Sequence, residues 1–252
     1  MVSMSAPDRA AELRANLRAV RLRIATAAER AGRDPNTITL IAVTKFFPVA
    51  DVLALAEAGV TDFGESRDQD ASTKAAEFAD LSPSPVSWHF VGRLQTNKAR
   101  SVASYADVVH SVDRAALVDA LANGVRAADR APLAVLLQVS LDVNDVNTIA
   151  GPSGASERGG VRPGDLLALA DQVASRPELV VAGVMSVPPQ DRDPADAFSE
   201  LLQLSAALRA QHGGATMISA GMSADLDSAI EHGATHVRIG TALLGPRKPT
   251  IG

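Results

Sequence analysis

TLIAVTK, residues 39–45, followed by FFP at 46–48, is the stretch whose reading decides the fold. Its apolar and β-branched residues form a short run that ends abruptly in a cation, the pattern of a buried strand. Pro48 can then open a helix, because the first helical position needs no N–H donor. The stretch therefore reads as a strand feeding a helix, with Lys45 at the strand's carboxyl end.

The same alternation continues along the chain. Strands are expected at 39–45, 62–65, 88–92, 108–112, 134–141, 180–187, 216–221 and 236–240. Helices are expected near 48–58, 66–79, 93–103, 114–129, 163–175, 194–211 and 223–232. Asp193-Pro194-Ala-Asp196 and Ser223-Ala-Asp225 read as helix starts, and Gly59 and Gly233 as stops. Before the first strand, Leu13, Leu17, Val20, Ile24, Ala27 and Ala31 recur at helical spacing between arginines, with Ser5 and Pro7 as a start and Gly32 as a stop. Eight strands alternating with helices imply one parallel sheet closed into a (β/α)8 TIM-type barrel with an added N-terminal helix. A doubly wound open sheet is the competitor, and the strand count favours the barrel. Neither a linker nor a fixed-period repeat divides residues 1–252, so a single domain is expected.

The composition narrows the function classes. Hydrophobic residues make up 46% and charged residues 21% of the 252, ordinary for a globular chain. Aromatic content is 3%, so the core must be built mainly from Ala, Val, Leu and Ile. A net charge of −5 gives no electrostatic footprint for nucleic acid or an anionic membrane. There is no cysteine, which excludes thiolate metal sites and disulfides. His110, His212, His232 and His236 lack metal-ligand spacing and read as ordinary surface or strand-end residues. No signal peptide or membrane-length apolar run is visible, so a cytoplasmic protein is expected.

One segment interrupts the rhythm. Residues 142–160, DVNDVNTIAGPSGASERGG, are polar, glycine-rich and long for a connection in a compact domain. They read as a flexible insertion after strand five, either a surface loop or a lid over the face where Lys45 ends. Asn97, Lys98 and Arg100 read as a solvated helix start, with a secondary anion contact as the alternative.

The chemistry lies at the carboxyl ends of the strands, where barrels keep their active sites. A partly desolvated lysine there has a lowered pKa, and its neutral amine can form a Schiff base with an aldehyde. Strands seven and eight end in Ser219-Ala-Gly-Met-Ser223 and Arg238-Ile-Gly-Thr-Ala242. Loops after these two strands often bind phosphate through backbone N–H groups. Gly221 and Gly240 permit close approach, and Ser219, Ser223 and Thr241 add hydroxyl donors. A phosphate pocket facing an imine-forming amine calls for a phosphorylated aldehyde, and pyridoxal 5′-phosphate (PLP) fits that description. Arg238 would lie beside the pyridine ring; a structural salt bridge is the equal alternative from the residues alone.

The stretches AVTK (42–45), FGE (63–65), WHFVGRLQTNKAR (88–100), GVMSV (183–187) and SAGMSADLDSAIEHGATHVRIGTALLG (219–245) resemble the YggS/PROSC family of pyridoxal-phosphate homeostasis proteins. The resemblance covers nearly the whole chain. It implies a fold type III PLP-binding barrel like that of bacterial alanine racemase, with the cofactor as a Schiff base on Lys45. It further implies phosphate contacts from Ser219, Gly240 and Thr241, Arg238 near the pyridine nitrogen, and His89 and Met222 lining the pocket. Ser66 stands where the family usually carries Asn, so a shorter hydroxyl replaces an amide near the cofactor's 3′-oxygen. The loop after strand five is also longer than the family's. The implied role is intracellular PLP holding and delivery, with apo PLP-dependent enzymes as partners, no catalytic residues and no metal.

Two enzyme classes stand as alternatives. An amino-acid racemase needs acid–base groups on both faces of the substrate carbon. In alanine racemase the second is a tyrosine from a C-terminal domain, and Tyr105 is the only tyrosine in this chain. A Schiff-base aldolase would suit the lysine, barrel and phosphate site, but not the family motifs. Without the racemase's dimerising domain, a monomer is expected.

Overall fold

β1 (Thr39–Val43) stops two residues short of Lys45 in the computed structural model, which describes residues 6–142 and 159–246. The Phe47 N–H donates to the Thr44 carbonyl at 3.0 Å and closes a tight turn with Lys45 and Phe46 at its centre. Phe46 has φ +69°, a conformation that favours glycine. That turn is why the strand is shorter than its apolar pattern. Pro48 stands just before α2 (Val49–Glu57) as its cap, in extended conformation, and is not its first residue. Its fixed φ sets up the helix from one position further out than expected.

The remaining strands are β2 (Asp62–Glu65), β3 (Ser87–Phe90), β4 (Val108–Val112), β5 (Leu133–Gln138), β6 (Leu179–Met185), β7 (Met217–Ser219) and β8 (His236–Ile239). They close in chain order into one all-parallel barrel, and β8 returns to pair with β1. Outside lie α3 (Asp68–Leu81), α4 (Ala99–Tyr105), α5 (Ala115–Ala127), α6 (Leu166–Ala174), α7 (Pro194–Gln211), α8 (Leu226–Glu231) and α9 (Thr241–Leu244). Each parallel pair needs a crossover, and the helices provide it while covering the sheet's outer face.

Local signals account for most boundaries. At α7, Asp193 Oδ1 accepts from the Ala195 N–H at 2.9 Å and Pro194 occupies the first turn, as the sequence predicts. α8 begins at Leu226, three residues later than expected. Asp225 Oδ1 accepts from the Met222 N–H at 2.6 Å, so this carboxylate closes a turn and delays the helix. The four-residue α9 after Gly240 has no counterpart in the sequence reading.

α1 (Ala6–Arg30) buries Leu13, Leu17, Val20, Ile24, Ala27 and Ala28 and packs against α2, α8 and α9, while Ala31 is only half-buried. Its polar residues tie down three elements. Arg9 pairs with Asp51 of α2 at 2.7 Å and donates to the Leu244 carbonyl of α9. Asn16 donates to the Leu243 carbonyl, satisfying another end of that short helix. Arg23 pairs with Asp227 of α8 and donates to the Ser223 carbonyl at 2.6 Å. The added helix thus braces the elements that follow strands one, seven and eight. No helix among the described residues is long and apolar enough to cross a membrane.

Candidate functional site

The backbone that carries Lys45 rests on a buried ionic support. Lys74 of α3 donates to the Thr44 carbonyl at 2.9 Å and pairs with Glu65, while Thr44 Oγ1 donates to Glu65 Oε1 at 2.7 Å. Thr44 is 0%, Glu65 1% and Lys74 7% exposed. In that low-dielectric setting the contacts hold the residue before Lys45 far more firmly than surface pairs would. Lys45 itself is half-buried. Beyond it, Arg67 lies over the Phe46 ring at 4.5 Å, roofing the turn with a cation–π contact. Ser66 is half-buried, and its backbone packs so closely on Gly92 that any Cβ at Gly92 would collide with the Ser66 carbonyl. The ends of β2 and β3 are thereby locked together next to Lys45.

Across the seam from β1 lie the two glycine loops. Ile41 is in register with Arg238 and Ala42 with Ile239, so β8 delivers Gly240 beside the end of β1. A Cβ at Gly240 would lie 3.4 Å from the Val43 carbonyl. The Ala242 N–H donates to Ser223 Oγ at 3.4 Å, bringing the loop after β7 against the start of α9. Gly221 has φ +86° and lies against α8, where a Cβ would meet Ala229 Cβ at 2.6 Å. Ser223 and Thr241 are therefore hydroxyls on two neighbouring loops at the mouth. Met222, expected to line the pocket, is 40% exposed on the first of them.

Arg238 and Ser219 point into the barrel. Arg238 is 6% exposed and donates to Ser219 Oγ at 2.6 Å and to the Ser186 carbonyl at 3.0 Å. Among the described residues it forms no ion pair, so the structural salt bridge is absent there. Burial lowers its pKa to about 10, opposed by the charge of Asp225, and it remains a cation at neutral pH. Ser219, expected at the phosphate, is 0% exposed with its Oγ between Arg238 and His110 Nδ1, the latter at 2.9 Å. Its hydroxyl serves the arginine, and Ser223 is the serine at the loop surface.

The histidines correct the sequence reading further. His110 is 0% exposed in the barrel interior, where burial, followed by the charges of His89 and Arg238, drives its pKa well below the usual imidazole value. His89 bonds to it through Nδ1 at 2.9 Å and to Asp62 Oδ1 through Nε2 at 3.0 Å. His89 therefore stands behind Arg238 and not at the mouth. Burial also lowers His236 to about 4, aided by His89 and opposed by Asp62. No strand-end signal could have revealed this, because His110 and Ser219 are 109 residues apart in sequence.

The segment 142–160 lies outside the described residues except at its ends. Gly160 has φ +123° and a Cβ there would meet the Ser140 N at 2.5 Å, while Val161 pairs with Val139. Asn97, Lys98 and Arg100 are exposed, as expected of a solvated helix start. A cleft of about 980 Å³ opens at the ends of β2 and β3, taking in Ser66, Arg67, Arg93 and Lys98. It flanks the Lys45 turn but includes neither glycine loop. The chemistry therefore follows the converging strand ends and not this cleft. No group of side chains among the described residues could hold a metal.

These residues fit a small anionic aldehyde. The half-buried lysine can supply an amine, the glycine loops with Ser223 and Thr241 can supply donors to a phosphate, and the buried arginine demands an acceptor. A guanidinium cannot give up its proton at neutral pH, so a ring nitrogen facing it must accept.

Comparison with known proteins gives the same direction. The sequence profile of the alanine racemase N-terminal domain matches residues 15–248. The pyridoxal phosphate homeostasis protein of Mycobacterium tuberculosis is 45% identical over 259 residues, covering 96% of this chain and 95% of that one. Its counterpart in Escherichia coli is 36% identical, covering 92% and 95%. PipY of Synechococcus elongatus, solved with PLP bound, superposes with a TM-score of 0.71 at 33% identity, covering 88% of this chain and 100% of that chain. An alanine racemase from Streptomyces coelicolor matches at TM-score 0.68 and 19% identity, which speaks to the fold alone. This chain covers 58% of that racemase.

Proposed function

This chain belongs to the alanine racemase N-terminal domain family and, within it, to the pyridoxal phosphate homeostasis proteins, and on that premise we propose that it holds PLP on Lys45 as a carrier. The observation that carries the reading is Arg238, a cation buried to 6% exposure whose side-chain hydrogen bonds among the described residues go to a hydroxyl and a carbonyl. A buried cation needs its N–H donors satisfied, and a ring nitrogen in the barrel mouth would supply a further acceptor.

Each residue then has a task. Lys45 would hold the cofactor through its amine, and the cofactor would supply the aldehyde for that bond. Ser223, Gly240 and Thr241 receive the phosphate on two adjoining loops. Arg238 keeps the pyridine nitrogen unprotonated, which weakens electron withdrawal and suits storage better than turnover. Ser66 contributes a hydroxyl near the 3′-oxygen, and Met222 covers the outer edge.

A carrier reading also takes account of Tyr105, the chain's one tyrosine. Burial raises the Tyr105 pKa, so its phenol is a poor base. The working picture is a cytoplasmic monomer that passes PLP to apo-enzymes. A visible spectrum of wild type and Lys45→Ala tests it, followed by transfer to an apo PLP-dependent enzyme. The account expects a yellow wild type that reactivates the apo-enzyme and a colourless variant that does not. An unchanged visible band in Lys45→Ala would sink it.

A further inference from the structure

A continuous line of hydrogen bonds crosses the barrel interior from Arg238 to the opposite end. Arg238 donates to Ser219 Oγ at 2.6 Å, Ser219 Oγ meets His110 Nδ1 at 2.9 Å, and His110 Nε2 meets His89 Nδ1 at 2.9 Å. His89 Nε2 meets Asp62 Oδ1 at 3.0 Å. Asp62 is the first residue of β2, at the amino-terminal rim, and its side chain keeps 21% exposure to water. The intervening Ser219, His110 and His89 are 0–2% exposed. TIM barrels ordinarily fill this space with layers of branched aliphatic side chains, so five polar groups in line imply a task that packing alone does not set.

The ends of the line fix its direction. A guanidinium can only donate, and an ionised carboxylate can only accept. Although burial opposes it, hydrogen bonds from His89 and Thr61 lower the Asp62 pKa, so the carboxylate is ionised. Between the ends, the Ser219 hydroxyl and the neutral His110 imidazole each bring one proton to the contacts of the line. Every contact then holds one proton only if all point the same way, from Arg238 towards Asp62. In the reverse direction Ser219 Oγ would accept from both Arg238 and His110. Its own buried hydroxyl proton would then have no acceptor among the described residues.

We propose that His110 is a positioning residue for the cofactor site, locked by His89 and Asp62 in its Nε2-protonated tautomer so that its Nδ1 accepts the hydrogen bond donated by the Ser219 hydroxyl. Ser219 then turns a lone pair to Arg238 and holds the guanidinium plane, aiming its other donors at the ring nitrogen. This rests on the reading of Arg238 as the pyridine neighbour. The line keeps a buried cation in place without a carboxylate close enough to neutralise it. The charged or titratable groups facing it are Asp62 at one end, Asp225 acting on Arg238 at the other, and the neutral ring of His236 at 6.4 Å from His89.

The test begins on the apo-protein at neutral pH. Long-range proton–nitrogen spectra of the histidine rings, assigned with His110→Asn and His89→Gln, should show His110 and His89 as Nε2–H tautomers. A His110 ring protonated at Nδ1, alone or together with Nε2, would overturn the proposal whether or not PLP binds. The second arm uses PLP-loaded protein. His110→Leu should release PLP roughly tenfold more readily and shift its visible band, the size expected for losing one hydrogen bond to a charged group's support. His110→Asn, whose Oδ1 can replace Nδ1 as the acceptor from Ser219, should restore the wild-type band. Equal spectra and retention in wild type, His110→Leu and Ser219→Ala would contradict the proposal. Absence of any visible band in wild type would instead refute the Lys45 reading and leave the tautomer result standing.

Discussion

At Phe46 the chain adopts φ +69° with a large aromatic side chain, in the turn that presents Lys45. Such strain persists only where neighbours over-determine it. Here the Arg67 guanidinium over the ring and the Lys74 contact to the Thr44 carbonyl do so. Gly221 solves the opposite problem, using its φ of +86° where α8 leaves no room for a side chain. Gly221→Ala should destabilise the protein by roughly 1–3 kcal/mol, through both backbone conformation and contact with Ala229. Urea denaturation measures this, and a neutral result would remove the packing argument for the loop after β7. Lys45 was legible because a cation that closes an apolar run marks where a buried strand emerges at the barrel mouth. Ser219 was not, because one step of strand register decides whether a hydroxyl faces the mouth or the interior. Only three residues of β7 are paired, too few for an alternating pattern to declare its face.

Among the elements, α3 and α1 do the most to place the site. α3 contributes Lys74, which holds the end of β1 together with Glu65 from the end of β2. Lys74→Met should cost roughly 3–5 kcal/mol, since it leaves the Glu65 carboxylate buried beside Thr44 alone. Adding Glu65→Leu should recover much of that stability while PLP retention stays low, because the Thr44 carbonyl has lost its donor. Denaturation and a visible spectrum on the same three proteins separate the two effects. A double variant no more stable than Lys74→Met would show that the pair is not what strains the single variant. The helix starts were legible where a cap and proline coincide, as at Asp193-Pro194. They misled at Ser223-Ala-Asp225, where the same residue types build a turn closed on the Met222 N–H. A carboxylate can accept from a loop amide as readily as from a helix amide, and tertiary context decides.

Over the whole molecule, the barrel carries an arginine and neutral histidines in its interior, and this sets its response to acid. His236 is depressed to about 4, and His110 is also well below the ordinary value of 6.5, both chiefly through burial. Between those values an unfolded chain binds protons that the native state refuses, so stability falls as pH drops below about 6.5. His236 alone should account for a loss on the order of 3 kcal/mol by about pH 4. The lowered Asp62 pKa adds to this as the pH falls through the carboxylate range. Urea midpoints measured between about pH 7.5 and 4.5 should decline steadily, and a flat profile would contradict neutral buried imidazoles. The eight-strand barrel itself was readable from alternation, since parallel strands need a crossover each time. The polar line through it was not, because it joins residues that share no local pattern. One lysine, at the end of β1, is expected to hold the cofactor. Borohydride reduction of the PLP-loaded protein followed by peptide mapping tests it most directly. The account expects the phosphopyridoxyl label on the peptide containing Lys45 and none in Lys45→Ala; a label on Lys74 or Lys98, with Lys45 unmodified, would contradict it.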